Sequence, residues 1–172
     1  MPISSYAVIP DVANKLIIQE PKTVLDVGIG NGLYGCLVKN YLPDAHVTGI
    51  EGWEAYRNPM WQNYDSVIVH EVPQALEYLK GKFDAIIMCD VIEHFDPDKG
   101  DYIIERLKGF LKKGGIMIVT TPSIFCEQGA VNGNHLEIHR SLWKDINGFK
   151  RLREEGPDKY GHYMQVFFHE KK

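Results

Sequence analysis

The chain alternates short, unbroken apolar runs with longer stretches in which apolar residues recur at helical spacing. Runs of the first kind read as buried strands, and stretches of the second kind as amphipathic helices. Residues 23–27, 47–51, 66–69, 83–89 and 116–121 are the strand candidates, with 83–89 apolar enough to be central in a sheet. Between them, residues 33–42, 73–79 and 97–112 read as helices. In the last of these, Ile103, Ile104, Leu107 and Leu111 form one stripe and charged residues the opposite face. An opening helix is predicted within residues 6–20, where Val8, Ile9, Val12, Leu16 and Ile17 repeat, with Pro10 in the first turn and Pro21 just past the end. Residues 56–64 read as an irregular turn, and residues 123–134 lack any period and read as a long loop on the ligand side. Ser141 is placed as the N-cap of a short helix over 142–147, stopped by Gly148. Two further strands are predicted over 149–152 and 163–169.

The first strand breaks into glycines at every second position, Gly28, Gly30 and Gly32. Such a turn lets backbone approach a ligand, and the N–H groups opening the next helix would face it. About twenty residues further on, Glu51 closes the second apolar run, a separation that suits a carboxylate on ribose hydroxyls. A nicotinamide fingerprint fails when framed from Gly28, where Leu33 takes the last position, but fits when framed from Gly30 to Gly32 and Gly35. Asp26 decides between the two cofactor classes. A carboxylate inside an apolar strand is costly to bury without a partner. S-adenosylmethionine, with an ammonium and a sulfonium, would supply one; alternatively Asp26 accepts N–H groups of the glycine turn.

Three motifs then stand in order: Val24-Leu25-Asp26-Val27-Gly28-Ile29-Gly30-Asn31-Gly32, Phe83-Asp84-Ala85-Ile86-Ile87-Met88-Cys89-Asp90-Val91-Ile92-Glu93-His94, and Leu111-Lys112-Lys113-Gly114-Gly115-Ile116-Met117-Ile118-Val119. They resemble the first motif, the fourth-strand motif and the turn before the fifth strand of class I S-adenosylmethionine-dependent methyltransferases, over roughly residues 23–149. The resemblance implies an α/β, three-layer Rossmann-like fold: a seven-stranded, mostly parallel sheet with helices on both faces and an antiparallel C-terminal hairpin. It implies one domain over residues 1–172, and methyl transfer from S-adenosylmethionine to a small-molecule acceptor at oxygen or nitrogen. The expected cofactor-binding residues are Asp26 on the ammonium, Gly28, Gly30 and Gly32, Glu51 on the ribose, Trp53 and Glu71 on the adenine, and Asp90 near the methionyl or acceptor side. Asp90 and His94 are the catalytic candidates, His94 as a general base whose ordinary pKa lies near working pH or as a structural residue.

No metal ion is assigned. A sharper alternative puts Glu93 and His94 with His135 or His139 around a divalent ion. That arrangement resembles the small-RNA 3′-terminal ribose methyltransferases. The remaining alternative is a cofactor-binding partner subunit without activity.

Composition changes this picture little. Hydrophobic content is 44% and charged content 24%, ordinary for a globular chain, and no apolar run approaches the ~20 residues that span a bilayer. The N-terminal stretch shows no secretory leader. The formal charge of −4 disfavours a large nucleic-acid surface. Cys36, Cys89 and Cys126 have no metal-binding spacing and read as reduced thiols of a cytoplasmic protein.

Overall fold

A computed structural model of the chain describes residues 5–157, 161 and 163–172. Residues 1–4, on which the expectation about a secretory leader partly rests, lie outside the described residues. The elements follow in order: α1 (Ile9–Gln19), β1 (Thr23–Val27), α2 (Leu33–Tyr41), β2 (His46–Glu51), β3 (Ser66–Val69), α3 (Val72–Ala75), β4 (Phe83–Cys89), α4 (Pro97–Gly109), β5 (Leu111–Pro122), β6 (Lys150–Glu155) and β7 (Met164–Glu170). Single 3₁₀ turns lie at Glu54–Tyr56, Pro59–Asn63, Ile92–His94 and His135–Glu137.

The seven strands form a sheet of order β3-β2-β1-β4-β5-β7-β6. β1 pairs in parallel with β2 on one side and β4 on the other, so the strand order reverses at β1/β4. That reversal opens a crevice at the carboxyl ends of the strands, where ligands of open α/β sheets bind. β7 runs antiparallel to β5, from Ile116↔Glu170 to Pro122↔Met164, and β6 is the antiparallel edge.

Side-chain alternation divides the core between the two faces. Val24, Val47, Ala85, Ile87, Ile116 and Ile118 pack under α1 and α2 together with Trp61 and Tyr64. Leu25, Ile50, Ile86, Met88, Met117 and Val119 pack under α3 and α4. α1 ends as its prolines predict: Glu20 turns left-handed, its N–H bonds to the Leu16 carbonyl at 3.0 Å, and Pro21 follows. No helix among the described residues is long and apolar enough to cross a membrane. All three cysteines are free, with Cys89 buried and Cys126 exposed.

Three local expectations are corrected. α4 stops at Gly109, and β5 begins at Leu111, already paired with Phe83 before an irregularity at 112–115 brings Ile116 opposite Ala85. The α3 helix is shorter than predicted. The helix expected over 142–147 is absent. There the Trp143 indole donates to Ser141 Oγ at 2.8 Å and to the Ile92 carbonyl at 3.2 Å, so the hydroxyl expected to cap a helix holds the indole instead.

Trp143 also fixes α4. A Cβ placed on Gly100 would lie 2.4 Å from the indole, whereas one placed on Gly109 meets nothing within 4 Å. Alanine favours a helix over glycine by about 0.8–1 kcal/mol, but overpacking a filled contact costs roughly 1–3 kcal/mol. Gly100→Ala should therefore destabilise the protein in urea unfolding, and Gly109→Ala should leave it unchanged or slightly more stable.

Candidate active site

The carboxyl ends of the strands open into a cleft of about 850 Å³. Its floor is the glycine turn after β1, whose three glycines all have positive φ. Gly28 is required twice over: its φ is 76°, and a Cβ there would lie 2.4 Å from a Val91 methyl. The turn is tied to β2. Gly28 and Ile29 donate their N–H groups to the Ile50 carbonyl at 2.8 and 3.0 Å, and Gly30 donates to Glu51 Oε2 at 2.9 Å. Glu51 Oε1 accepts from the Trp53 N–H at 2.8 Å. Glu51 is thus a buried carboxylate stapled between two turns, with burial pushing its pKa up despite these bonds. Each oxygen keeps acceptor capacity toward the cleft that Glu51 lines.

Asp90 follows β4 in a left-handed conformation, φ 55°, uncommon for a residue with a side chain. Thr120 Oγ1 donates to its Oδ1 at 2.7 Å, and the Ser5 N–H donates to its Oδ2 at 3.0 Å. The N-terminal segment is thereby drawn to the cleft mouth. Beside it Glu93 is buried, 2% exposed, with Thr121 Oγ1 donating to Oε2 at 3.1 Å. Burial first, and Asp90 second, raise its pKa well above the carboxylate range. The Glu93 carbonyl accepts the Arg140 and Ser141 N–H groups, which holds the later loop against the β4 end.

His94 lines the cleft with Nδ1 3.4 Å from the Ile138 carbonyl and its ring 4.9 Å from that of His139. Burial and the neighbouring His139 pull its pKa down to about 4, so the imidazole is neutral at pH 7. Donor atoms of Glu93, His94 and His139 lie within 4.8 Å of one another, a set able to hold a small cation. His135 stands apart from them, with Nε2 3.7 Å from Glu71.

A family model described as a methyltransferase domain matches residues 25–119, more than half of the chain. The chain belongs to this methyltransferase family. Its fold is shared by many solved structures. An O-methyltransferase family protein from Burkholderia thailandensis superposes with a TM-score of 0.61 at 16% identity, covering 96% of this chain and 57% of that one. Magnesium protoporphyrin IX methyltransferase from Synechocystis, with bound S-adenosylhomocysteine, gives 0.70 at 17% identity, covering 96% and 83%. The 1,6-didemethyltoxoflavin N1-methyltransferase of Burkholderia thailandensis, with its substrate and S-adenosylhomocysteine bound, gives 0.65 at 18%, covering 97% and 79%. The chain thus spans little more than half the length of the first of these. No curated protein sequence matches it.

Within this methyltransferase domain, the cleft brings together Gly28, Gly30, Glu51, Glu71, Asp90 and His94 of the expected residues. Asp26, Gly32 and Trp53 are not among its lining. A Cβ on Gly32 would face Met60 and Trp61, and the Trp53 ring meets His135 edge to face at 6.1 Å. Asp26 lies below the floor, 2% exposed, where Tyr64 Oη donates to its Oδ2 at 2.6 Å and accepts the Gly35 N–H at 3.0 Å. The protein itself thus supplies a partner for the strand carboxylate, and the N–H groups of Gly28, Ile29 and Gly30 go to Ile50 and Glu51 instead. Sequence reading missed Tyr64, which stands 38 positions away in an irregular stretch. It also missed Asn134, a buried amide that donates to Tyr56 Oη at 3.1 Å and closes the long loop. Only the polarity of an Asn at the end of that loop hinted at it.

Burial lifts the Asp26 pKa from 3.8 to about 7. Between these values the folded state holds a proton that the unfolded state has lost, so this group's contribution to stability falls as pH rises from about 4 to about 7. Asp26→Asn removes the ionisation and can still accept the Tyr64 hydroxyl. It should be more stable than the parent at pH 8, by roughly 1–4 kcal/mol, with the gap closing below pH 4 in urea titrations.

Proposed function

We propose that the domain transfers a methyl group from S-adenosylmethionine to a small-molecule acceptor at oxygen or nitrogen. The observation that carries this reading is Glu51, a carboxylate fixed by the glycine turn at the end of β2 and lining the cleft. Two acceptor oxygens held in place suit a vicinal diol. The cleft also fits a cation: Glu51, Glu71, Asp90, Asp96 and Glu137 line it against Lys99 and Arg140. Its volume lies within the range of about 300–1,000 Å³ typical of ligand sites. Gly28 and Gly30 line the cleft, and the methionyl and ribose parts would lie against their backbone. Glu71, which lines the cleft, would receive the adenine side.

S-adenosylmethionine, held by Glu51 and the turn at Gly28 and Gly30, would supply an activated methyl carbon whose bond to sulfur breaks, the electron pair staying on sulfur, as an acceptor lone pair takes it. The protein's part is then mainly alignment, which can contribute about 7–11 kcal/mol. Asp90, oriented by Thr120 and Ser5, stands over β4 at the centre of the cleft, where acceptor and donor halves meet. His94, neutral at pH 7, can accept a proton released by an O–H or N–H acceptor or order the loop through the Ile138 carbonyl. Three free thiols are consistent with a cytoplasmic setting.

Hydrogen bonds to a charged carboxylate contribute about 1.5–3 kcal/mol. Glu51→Gln should therefore weaken S-adenosylmethionine about 10- to 100-fold in calorimetric titration. Unchanged affinity would place the ribose elsewhere.

The cluster of Glu93, His94 and His139 favours a second reading, a metal-assisted methyl transfer to an RNA 3′-terminal ribose hydroxyl. On the first reading, turnover persists in excess EDTA. A strict requirement for added Mg²⁺ or Mn²⁺ would select the second.

A further inference from the structure

The cleft changes character along the strand order. Its lining carboxylates over β2 and β3 are Glu51 and Glu71, and Asp90 stands over β4. Where β5 ends and β7 begins, at the pair Pro122↔Met164, the lining includes Ile124, Phe125 and Tyr163. Three strand spacings separate the ends of β2 and β5, about 14–15 Å. The two regions can thus hold different molecules, or different halves of a reacting pair.

The far region is apolar yet open. Ile124 is 49%, Phe125 53% and Tyr163 37% exposed, and Tyr6, 45% exposed, lines the same cleft from the N-terminal side. A cluster of large exposed apolar side chains marks a ligand groove more often than it occurs by chance. These side chains are also held in place. The Ser123 N–H donates to the Tyr163 carbonyl at 2.9 Å, which joins the start of the loop to the start of β7. A Cβ on Gly156 would come within 2.3 Å of the Tyr163 ring, so that ring rests on bare backbone.

Of the two Lys and Arg side chains among the described residues that line the cleft, Arg140 is already engaged and Lys99 is exposed beside Phe95. Arg140 donates to the carbonyls of His94, Ile138 and His135 at 2.7, 2.9 and 3.3 Å. The Lys99 ammonium lies 5.4 Å from the centre of the Phe95 ring. An acceptor carrying phosphate or several carboxylates would gain little here, and it would stand near Asp90 and Glu93.

We infer that the methyl acceptor is a planar, mostly apolar, uncharged molecule whose body lies against Tyr6, Ile124, Phe125 and Tyr163, with its reacting oxygen or nitrogen toward Asp90. The inference rests on the methyl-transfer reading above. The test uses the full chain saturated with S-adenosylhomocysteine and titrated calorimetrically with 2-naphthol and with 2-naphthyl phosphate. 2-Naphthol should bind at least about tenfold more tightly than its phosphate, since both present the same ring, while the phosphate charge would have to be desolvated against apolar side chains near Asp90 with Arg140 already bonded to backbone carbonyls. Phe125→Ala and Tyr163→Ala should each weaken 2-naphthol about three- to tenfold, Phe125→Leu less, all with S-adenosylhomocysteine affinity within about twofold of the parent. No 2-naphthol binding, a preference for the phosphate, or unchanged affinity in both alanine variants would overturn the inference while leaving the methyl-transfer reading intact. Failure of S-adenosylhomocysteine itself to bind would overturn both.

Discussion

The cleft depends on a carboxylate reaching across from one strand to hold the turn that follows its neighbour. Glu51, at the end of β2, accepts the Gly30 N–H from the turn after β1 and the Trp53 N–H from its own continuation. Parallel pairing brings Val27 opposite Ile50, so the two turns emerge side by side at one edge. Without an acceptor between them, two backbone N–H groups would be buried near the floor of the cleft with nothing to bond, a loss of about 1–3 kcal/mol each. The same side chain that shapes the floor is the one offered to a ligand. Structure and recognition are therefore coupled at this residue.

The coupling has an electrostatic consequence. Asp26, Glu51 and Glu93 are all buried at or just below the cleft floor, and desolvation is the largest cause lifting the pKa of each. Their partners are neutral: the Tyr64 hydroxyl, backbone N–H groups and the Thr121 hydroxyl. Neutral donors stabilise a carboxylate less than a cation does. The folded protein thus relieves the cost of burial by holding protons on these carboxyls more tightly than in water. A cation bound above them would favour their ionised forms, so binding of a cation and release of a proton would be linked there, with Asp26 still beneath the floor.

This bears on what the sequence could convey. β1, β2 and β4 and the glycine turn were legible because local periodicity and glycine spacing carry that information directly, whereas the sheet they form was legible only through the family resemblance of three motifs. Glu51 was legible for the same reason, as its separation from the glycines is fixed by one helix and one turn. The partner of Asp26 was not legible. Tyr64 comes from a turn with no periodicity, and only the packing of its ring over Gly35 and Gly49 explains why it lies there. The missing helix over 142–147 failed for a related reason: Ser141 has the chemistry of a cap, but the groove over Gly100 takes Trp143, and the indole N–H claims the hydroxyl first. Local signals name what a residue can do; long-range packing decides which of those options it takes.

The division of the cleft follows from topology rather than from any single residue. Strands β1 to β4 are parallel, so each delivers a turn with polar ends to the same edge, and carboxylates accumulate there. β5 and β7 are antiparallel, so the edge receives the exit of one strand and the entry of the next, tied by the Ser123–Tyr163 backbone bond. That arrangement needs no helix N-terminus and leaves no unpaired row of N–H groups to attract anions. It leaves side chains alone to set the character of the far half, and in this chain those side chains are aromatic and aliphatic. The acidic half is thus an outcome of the parallel fold, whereas the apolar half is a choice of residues on one loop and one strand end. Substitutions around Ile124, Phe125 and Tyr163 can therefore change the character of the far half without disturbing the carboxylate that holds the glycine turn.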